Sequence, residues 1–310
     1  MYEVITAENT EITQQTFTAT LYQKFIDYVD ATPKTVQTYT RALRQLAKYF
    51  TDNGITSPQR EDVVAYREWL KQDHKPTTVQ NYITAARLFF NWTEQEGLYP
   101  NIAKHVKGVK LDREHKKDYL TSGQVKDTLQ GIDRSTIQGK RAYAIYTLMI
   151  TGGLRTIEVS RANVEDLRAA GDTPALYLQG KGHEERAEYI KLTPQVEAAI
   201  RDYLKTRGPV SGKDPLFTSV SNNSRNRRIT ERSVSGIVKK VFTDAGLVSD
   251  RVTAHSTRHT SVTLALLGGQ SLQEVQQFAR HANIGTTLIY SHAIERAKNQ
   301  CENTIAAAIF

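Results

Sequence analysis

Sulfur is scarce in this chain of 310 residues: Cys301 is the single cysteine, which excludes an internal disulfide and a cysteine-built zinc site. Long apolar runs are also missing. The longest uncharged apolar stretch, Tyr143 to Leu154, contains threonine and paired glycines and falls well short of the roughly 20 residues a membrane-spanning helix needs. The start, Met1-Tyr2-Glu3, has neither the basic nor the apolar region of a secretory signal, so the expectation is a cytoplasmic protein with no membrane partner. Acidic residues are in deficit, 33 Asp+Glu against 41 Lys+Arg, for a formal net charge of +8. That surplus points to a polyanionic partner. With 39% hydrophobic and 24% charged residues, disorder throughout is excluded, and the length suggests two domains, each able to bury a core.

The first half repeats itself. Pro33-Lys-Thr-Val-Gln-Thr-Tyr39 is echoed by Pro76-Thr-Thr-Val-Gln-Asn-Tyr82, and Ala42, Arg44 and Gly54 find counterparts in Ala85, Arg87 and Gly97. Each copy reads as a long helix with proline in its first turn and glycine at its C-terminal stop. A third helical pattern opens at Ser57-Pro58, and Phe17 to Val29 supplies a fourth, so residues 15–101 are expected to form a four-helix bundle after a short extension, 1–14. Two helices sharing one start signal explain the repeat simply. The functional reading is that the two N-terminal turns, with Lys34, Thr35, Lys75, Thr77 and Thr78, meet phosphates.

Residues 102–117 carry Lys104, Lys107, Lys110, Arg113, Lys116 and Lys117 against Asp112 and Glu114 and read as a basic linker that touches a nucleic-acid backbone. The second domain, 118–292, is expected to be mainly helical, with helices near Gly139–Ile150, Thr193–Lys205, Thr230–Ala245, His259–Leu267, Leu272–Arg280 and Ile284–Tyr290. Strand signals at Ala175–Leu178 and Ala187–Leu192, joined through Gly180-Lys-Gly182, predict a small antiparallel sheet. The fold class is therefore mainly α with a small antiparallel β sheet.

Four segments of the second domain contribute groups suited to holding a phosphodiester under attack by a hydroxyl. Thr151-Gly-Gly-Leu-Arg-Thr-Ile-Glu158 presents Arg155, whose planar fork grips two phosphate oxygens, with Glu158 three residues on. Gly180-Lys-Gly182 places Lys181 at a hairpin tip, from which an ammonium can protonate a leaving oxygen. In Thr253-Ala-His-Ser-Thr-Arg-His-Thr260, His255 and Arg258 share a face if helical. The fourth segment runs from His281 to Tyr290. A metal reading of His255, His259 and His281 fails on ligand spacing, because no carboxylate accompanies them in a known metal motif.

The order Arg155, Lys181, His255-x-x-Arg258, His281, Tyr290 resembles that of the tyrosine recombinase (phage integrase) family. Gly153-Leu-Arg-Thr-Ile-Glu158 is similar to the family's Gly-Leu-Arg-x-x-Glu box, Gly180-Lys-Gly-x-x-x-Arg186 to its hairpin lysine motif, and Val275 through Tyr290-Ser-His292 to its last box. Two departures stand out: Ala279-Arg280 replaces a common Leu-Gly, and Glu184 sits where a second basic residue is frequent. The likeness spans residues 15–292, the helical first domain resembling the family's SAM-like core-binding domain. The segment before Phe17 is too short for a separate arm-binding domain, so a two-domain enzyme is expected.

The resemblance implies that Tyr290 attacks a DNA phosphate and joins the 3′ end, with no metal or other cofactor and no ATP. It further implies that Arg155, Arg258 and His281 hold the developing charge, His255 assists the proton leaving Tyr290, Lys181 is the general acid, and Glu158 orients the His255 side. The implied partners are double-stranded recombination sites, a homotetramer on paired sites, and an accessory DNA-bending or directionality factor. The implied location is the nucleoid within the cytoplasm. The tail, 293–310, with Ile305, Ile309 and Phe310, would dock on a neighbouring subunit or pack on its own domain. Integration and excision of a mobile element is the favoured role. Chromosome-dimer resolution of the Xer type, a type IB topoisomerase and a non-catalytic DNA-binding protein are the alternatives. Base-reading side chains are open, with the long helices and Asn222 to Arg228 as candidates.

Overall fold

A computed structural model describes residues 19–110, 118–180, 185–221, 224 and 226–310. The chain divides into two compact units, Met1–Arg113 and Glu114–Phe310. The first contains α1 (Ala19–Tyr28), α2 (Pro33–Asp52), α3 (Arg60–Asp73) and α4 (Pro76–Gln95). The repeat is structural: α2 and α4 both start with proline in the first turn, and both are followed by a glycine at φ +65°, Gly54 and Gly97, the left-handed stop that glycine adopts without strain. The starts differ in their caps. The Thr32 hydroxyl accepts the Thr35 N–H, whereas Lys75, the residue before α4, makes no side-chain cap.

Leu43, Leu46 and Phe50 on α2 and Ile83, Ala86, Phe89 and Phe90 on α4 join one core with Phe25, Tyr66 and Leu70. Phe25 meets Phe89 edge to face, 5.3 Å between centroids. Ile102, Ala103 and Val106 belong to this core as well, so the stretch expected to be linker from residue 102 begins as part of the first unit. Arg67 donates to the Lys107 carbonyl at 2.7 Å, Arg87 donates to the Val106 carbonyl, and the Gln80 side chain accepts the Val109 N–H at 3.2 Å. Lysines at 104, 107 and 110 mask the short apolar set between them in the sequence.

The second unit runs α5 (Ser122–Gln130), α6 (Ile137–Gly152), α7 (Thr156–Arg161), β1 (Leu167–Ala170), β2 (Thr173–Leu178), β3 (Glu188–Lys191), α8 (Pro194–Lys205), α9 (Glu231–Asp244), α10 (Ala254–Leu267), α11 (Leu272–Ala279), α12 (Gly285–Lys298) and α13 (Cys301–Ile309). Every residue of α6 from Ala144 to Ile150 is buried, the mark of a helix surrounded on all sides. It packs against α8, α9 and α10. The sheet is antiparallel in the order β1-β2-β3. Leu176 sits opposite both Leu167 and Ile190 and faces the core, while Tyr177 pairs with Tyr189. The first strand escaped sequence reading because Leu167-Arg-Ala-Ala170 has no β-branched residue. It is held by pairing with β2 through a turn at Gly171, φ +60°.

Two helices exceed their expected limits in ways that matter for the site. The Thr253 N–H donates to the Ser256 hydroxyl at 3.0 Å, and α10 starts at Ala254 rather than His259, placing His255, Arg258 and His259 on one helix. Tyr290 lies inside α12, which continues to Lys298. The last helix, α13, buries no residue.

Candidate active site

The site begins where α6 ends. Gly153 adopts φ +59°, and a Cβ added there would lie 3.0 Å from the Phe278 ring, so both conformation and space call for glycine. The turn it makes delivers Arg155 to the residue before α7. Glu158, in the first turn of that helix, accepts the Arg155 backbone N–H at 2.8 Å and the Arg155 guanidinium at 2.9 Å. This carboxylate is 1% exposed. Burial pushes its pKa up, but Arg280, the Arg155 N–H and the Arg155 guanidinium outweigh burial and hold the carboxyl below its ordinary value. Sequence reading set Glu158 to orient the His255 side; its two oxygens lie on arginines.

Arg258 comes from α10 and is 7% exposed. It donates to the Gly153 carbonyl at 2.6 Å and to the Ala279 carbonyl. Desolvation, followed by the neighbouring charges of Arg155 and Arg280, lowers its pKa to about 10, which leaves it cationic at neutral pH. Arg280 ends α11 in the left-handed region, φ 53°. Its guanidinium reaches Glu158 at 3.0 Å and the Gly153 carbonyl at 3.2 Å. Three guanidiniums thus converge on one carboxylate and one carbonyl, an excess of positive charge suited to an anion. Beside them lies an open cleft of about 780 Å³ whose lining includes Arg155, Gly180, Tyr189, Gln276, Arg280 and His281.

Tyr290 packs into a small apolar cluster with Val262, Val275 and Ala279, and its hydroxyl lies 2.5 Å from His259 Nδ1. Burial, opposed by the Arg258 charge, pushes the phenol up to about 12. With Nδ1 unprotonated, the His259 ring accepts the phenolic hydrogen. The His281 ring stacks near Tyr290, 6.4 Å between centroids and 16° apart, and its Nδ1 lies 2.9 Å from the hydroxyl of the fully buried Thr287. That bond fixes the ring's orientation.

Of the residues singled out in the sequence, Arg155, Glu158, Arg258, His281 and Tyr290 are brought together. His255 is exposed in the first turn of α10. Lys181 lies outside the described residues, as do Lys116 and Lys117. The backbone just before Lys181 is anchored, since Arg161 donates to the Gly180 carbonyl at 3.0 Å. Lys34, Lys75, Thr77, Lys107 and Lys110 are exposed in the first unit, and Thr35 and Thr78 are half-buried there. Sequence reasoning missed His259, weighed as a metal ligand alone, and the roles of Arg280 and Thr287. The signal for His259 was its place beside Arg258, once that segment is read as helix; the signal for Arg280 was its departure from Leu-Gly.

The phage integrase family model matches residues 118–296, and the model of the phage integrase N-terminal SAM-like domain matches residues 21–97. A tyrosine recombinase XerC of Caldanaerobacter subterraneus subsp. tengcongensis is 30% identical over 256 residues, 80% of this chain and 69% of that protein. A tyrosine recombinase of Synechococcus elongatus is 24% identical over 288 residues, 88% of this chain and 89% of that one. Among solved structures, XerH recombinase bound to palindromic difH substrate in a post-cleavage complex gives a TM-score of 0.74 at 20% identity, over 94% of this chain and 86% of that chain. The Tn1549 transposon integrase with transposon right-end DNA gives 0.68 at 20% identity, over 92% and 98%. The chain belongs to the phage integrase family, the tyrosine recombinases, enzymes that cut and rejoin DNA strands.

Proposed function

We propose that this chain recombines paired double-stranded DNA sites through a 3′-phosphotyrosine at Tyr290 and so moves a mobile element into and out of a chromosome. The observation that carries the chemistry is the juxtaposition of a buried phenol, 2.5 Å from an imidazole nitrogen, with the cationic cluster of Arg155, Arg258 and Arg280. Tyr290 Oη attacks phosphorus while His259 takes its proton; the P–O5′ bond breaks and Lys181 protonates the leaving 5′ oxygen. Arg155, Arg258 and His281 hold the charge that grows on the phosphoryl oxygens. A free 5′-hydroxyl of the partner strand then attacks the phosphotyrosine, returning the bond to DNA and the proton to Tyr290. The phosphodiester's bond energy is kept in the protein link, so the cycle asks for no nucleotide or metal. His255, exposed near the start of α10, stands on the side of incoming DNA.

The starts of α2 and α4 in the first unit, with Lys34, Thr35, Lys75, Thr77 and Thr78, and the basic residues Lys107, Lys110, Lys116 and Lys117 that follow along the chain, neutralise DNA phosphates. Affinity is then expected to fall steeply with salt as counterions are released. The exposed α13, with Ile305, Ile309 and Phe310, docks on a neighbouring copy within a tetramer on paired sites. An accessory DNA-bending or directionality factor and a location on the nucleoid of the cytoplasm complete this reading. The name of the matched family supports the element-moving role. The names of curated relatives, XerC and XerD of Listeria innocua, favour a second reading, chromosome-dimer resolution.

The test is capture of protein-linked fragments from DNA of the source organism after a detergent stop, with Tyr290→Phe as control. Adducts at the ends of a mobile element, absent from the variant, are expected. Adducts at a single chromosomal locus favour dimer resolution, and dispersed adducts with supercoil relaxation favour a topoisomerase. Adducts that persist in Tyr290→Phe remove the nucleophile assignment.

A further inference from the structure

Arg280 stands where the family pattern commonly has glycine, and its backbone shows why glycine is at home: φ is 53°, the left-handed region that strains a side-chain-bearing residue. The position keeps the conformation and adds a guanidinium whose side chain is 5% exposed. Strain and burial of a charge both oppose that choice, so a compensating interaction is required. It is visible in the site: Arg280 meets Glu158 Oε2 at 3.0 Å, the Gly153 carbonyl at 3.2 Å and the Phe278 carbonyl at 2.8 Å.

Glu158 is the carboxylate that holds Arg155. Its Oε1 takes the Arg155 guanidinium and its Oε2 takes both the Arg155 N–H and Arg280. Without Arg280, Oε2 would be available to the Arg155 fork, and a bidentate pair would neutralise the guanidinium needed for phosphate. With Arg280, one carboxylate is divided between two cations, and Arg155, still 31% exposed, keeps donors turned to the cleft it lines. The Arg280 backbone contributes too, as its carbonyl lies 3.5 Å from the second Arg155 nitrogen.

We propose that Arg280 is a positioning residue that keeps Oε2 of Glu158 from pairing with the Arg155 guanidinium, so that Arg155 meets the scissile phosphate as an incompletely neutralised cation. The inference rests on the phosphotyrosine reading above. Arg280 also lines the open cleft, so direct contact with DNA is the rival account, and a double-mutant cycle separates the two.

The measurement is the single-turnover rate of adduct formation on the fragment recovered from the wild-type adduct, for Arg280→Gly, Arg280→Lys, Glu158→Gln and the doubles, each with a melting curve. Glycine removes the backbone strain, so Arg280→Gly is expected to stay folded while losing roughly tenfold in rate at saturating DNA, with DNA affinity little changed. Arg280→Lys, which keeps the charge without the fork, should recover part of the rate. If Arg280 acts through Glu158, adding Arg280→Gly to Glu158→Gln has little further effect. A full tenfold loss in both backgrounds overturns the proposal in favour of direct phosphate contact, and a wild-type rate in Arg280→Gly overturns it outright. Should Arg280→Gly melt early, the comparison of Arg280→Lys in the two Glu158 backgrounds decides in the same way. Wild-type protein that forms no adduct would refute the phosphotyrosine reading itself, which is a different failure from an adduct indifferent to Arg280.

Discussion

The core of the first unit is hydrocarbon and aromatic: Phe25, Phe89, Phe90 and Trp92 fill it, and among the described residues Thr93 is its one buried side chain that is neither aliphatic nor aromatic. The second unit has an apolar core around α6, but it also buries Glu158, Asp166 and Arg258 together with Thr257, Thr260, Ser261 and Thr287. Apolar burial stabilises at about 25 cal/mol per Å² without regard to direction. Buried charge is costly unless paired, and swapping it for hydrocarbon is often neutral or stabilising. The contrast therefore separates two demands. The first unit is a core whose residues answer to packing, whereas the second carries an expensive polar interior, which on the proposed reading holds cations fixed for a phosphate. Within the second unit the polar burial is concentrated where α7, α10, α11 and α12 converge.

The widest separation between the two regions should come from Glu158→Ala. Removing it leaves Arg155, Arg258 and Arg280 facing one another without their carboxylate, and breaking such a buried pair costs about 3–5 kcal/mol. Leu46→Ala in the first unit should cost a similar amount, about 2–5 kcal/mol, through a cavity. Their effects on chemistry should diverge: at a temperature where both variants are folded, Glu158→Ala should lose adduct formation and Leu46→Ala should keep it. Urea unfolding with a probe in each unit, read beside single-turnover rates, checks both. A Glu158→Ala penalty below about 1 kcal/mol would mean that the carboxylate is not what compensates the arginines.

The same contrast explains what was legible in the sequence. Helices announced by Pro33, Gly54, Pro76 and Gly97 are local events, and local chemistry is written in order along the chain. So are Arg155, Arg258, His281 and Tyr290, whose types and spacing report a task. What was hidden depends on partners far away: β1 forms because β2 pairs with it, and Ile102, Ala103 and Val106 are core because α3 and α4 receive them. Within the site, residue types were legible and pairings were not. Glu158 answers to Arg280, distant in sequence, and Tyr290 meets His259 rather than being addressed by spacing alone.

That last pairing yields an effect of intermediate size. His259→Ala removes the acceptor at the phenol and is expected to slow adduct formation about 10²-fold, in the range of a lost general base, while His255→Ala should slow it less. Rates across pH 6 to about 9 for both variants are the check. The opposite ranking would move proton transfer to His255, as the family resemblance implies, and would recast the His259 contact as a resting position of the nucleophile.

The smallest effect tests the comparison at matched residues, since each unit buries a tyrosine. Tyr66 is fully buried in the first core and its hydroxyl has no partner among the described residues; Tyr290 is buried against His259. Burial raises both phenols above the ordinary 10.0, Tyr290 to about 12 opposed by Arg258, and Tyr66 further, with Tyr82 adding to the rise. Because each folded-state pKa lies above the unfolded one, the contribution to stability is complete below about pH 10 and is lost as pH rises toward the folded pKa. Tyr66→Phe should thus change stability at neutral pH by less than about 1 kcal/mol, either way, because no hydrogen bond is lost. It should also flatten the alkaline loss of stability in the first unit, and Tyr290→Phe should do so in the second. Melting curves between about pH 8 and 11 measure both. If Tyr66→Phe destabilises the first unit by more than about 1 kcal/mol, that hydroxyl has a partner, and the division between an apolar platform and a polar catalytic interior is less complete than the two cores indicate.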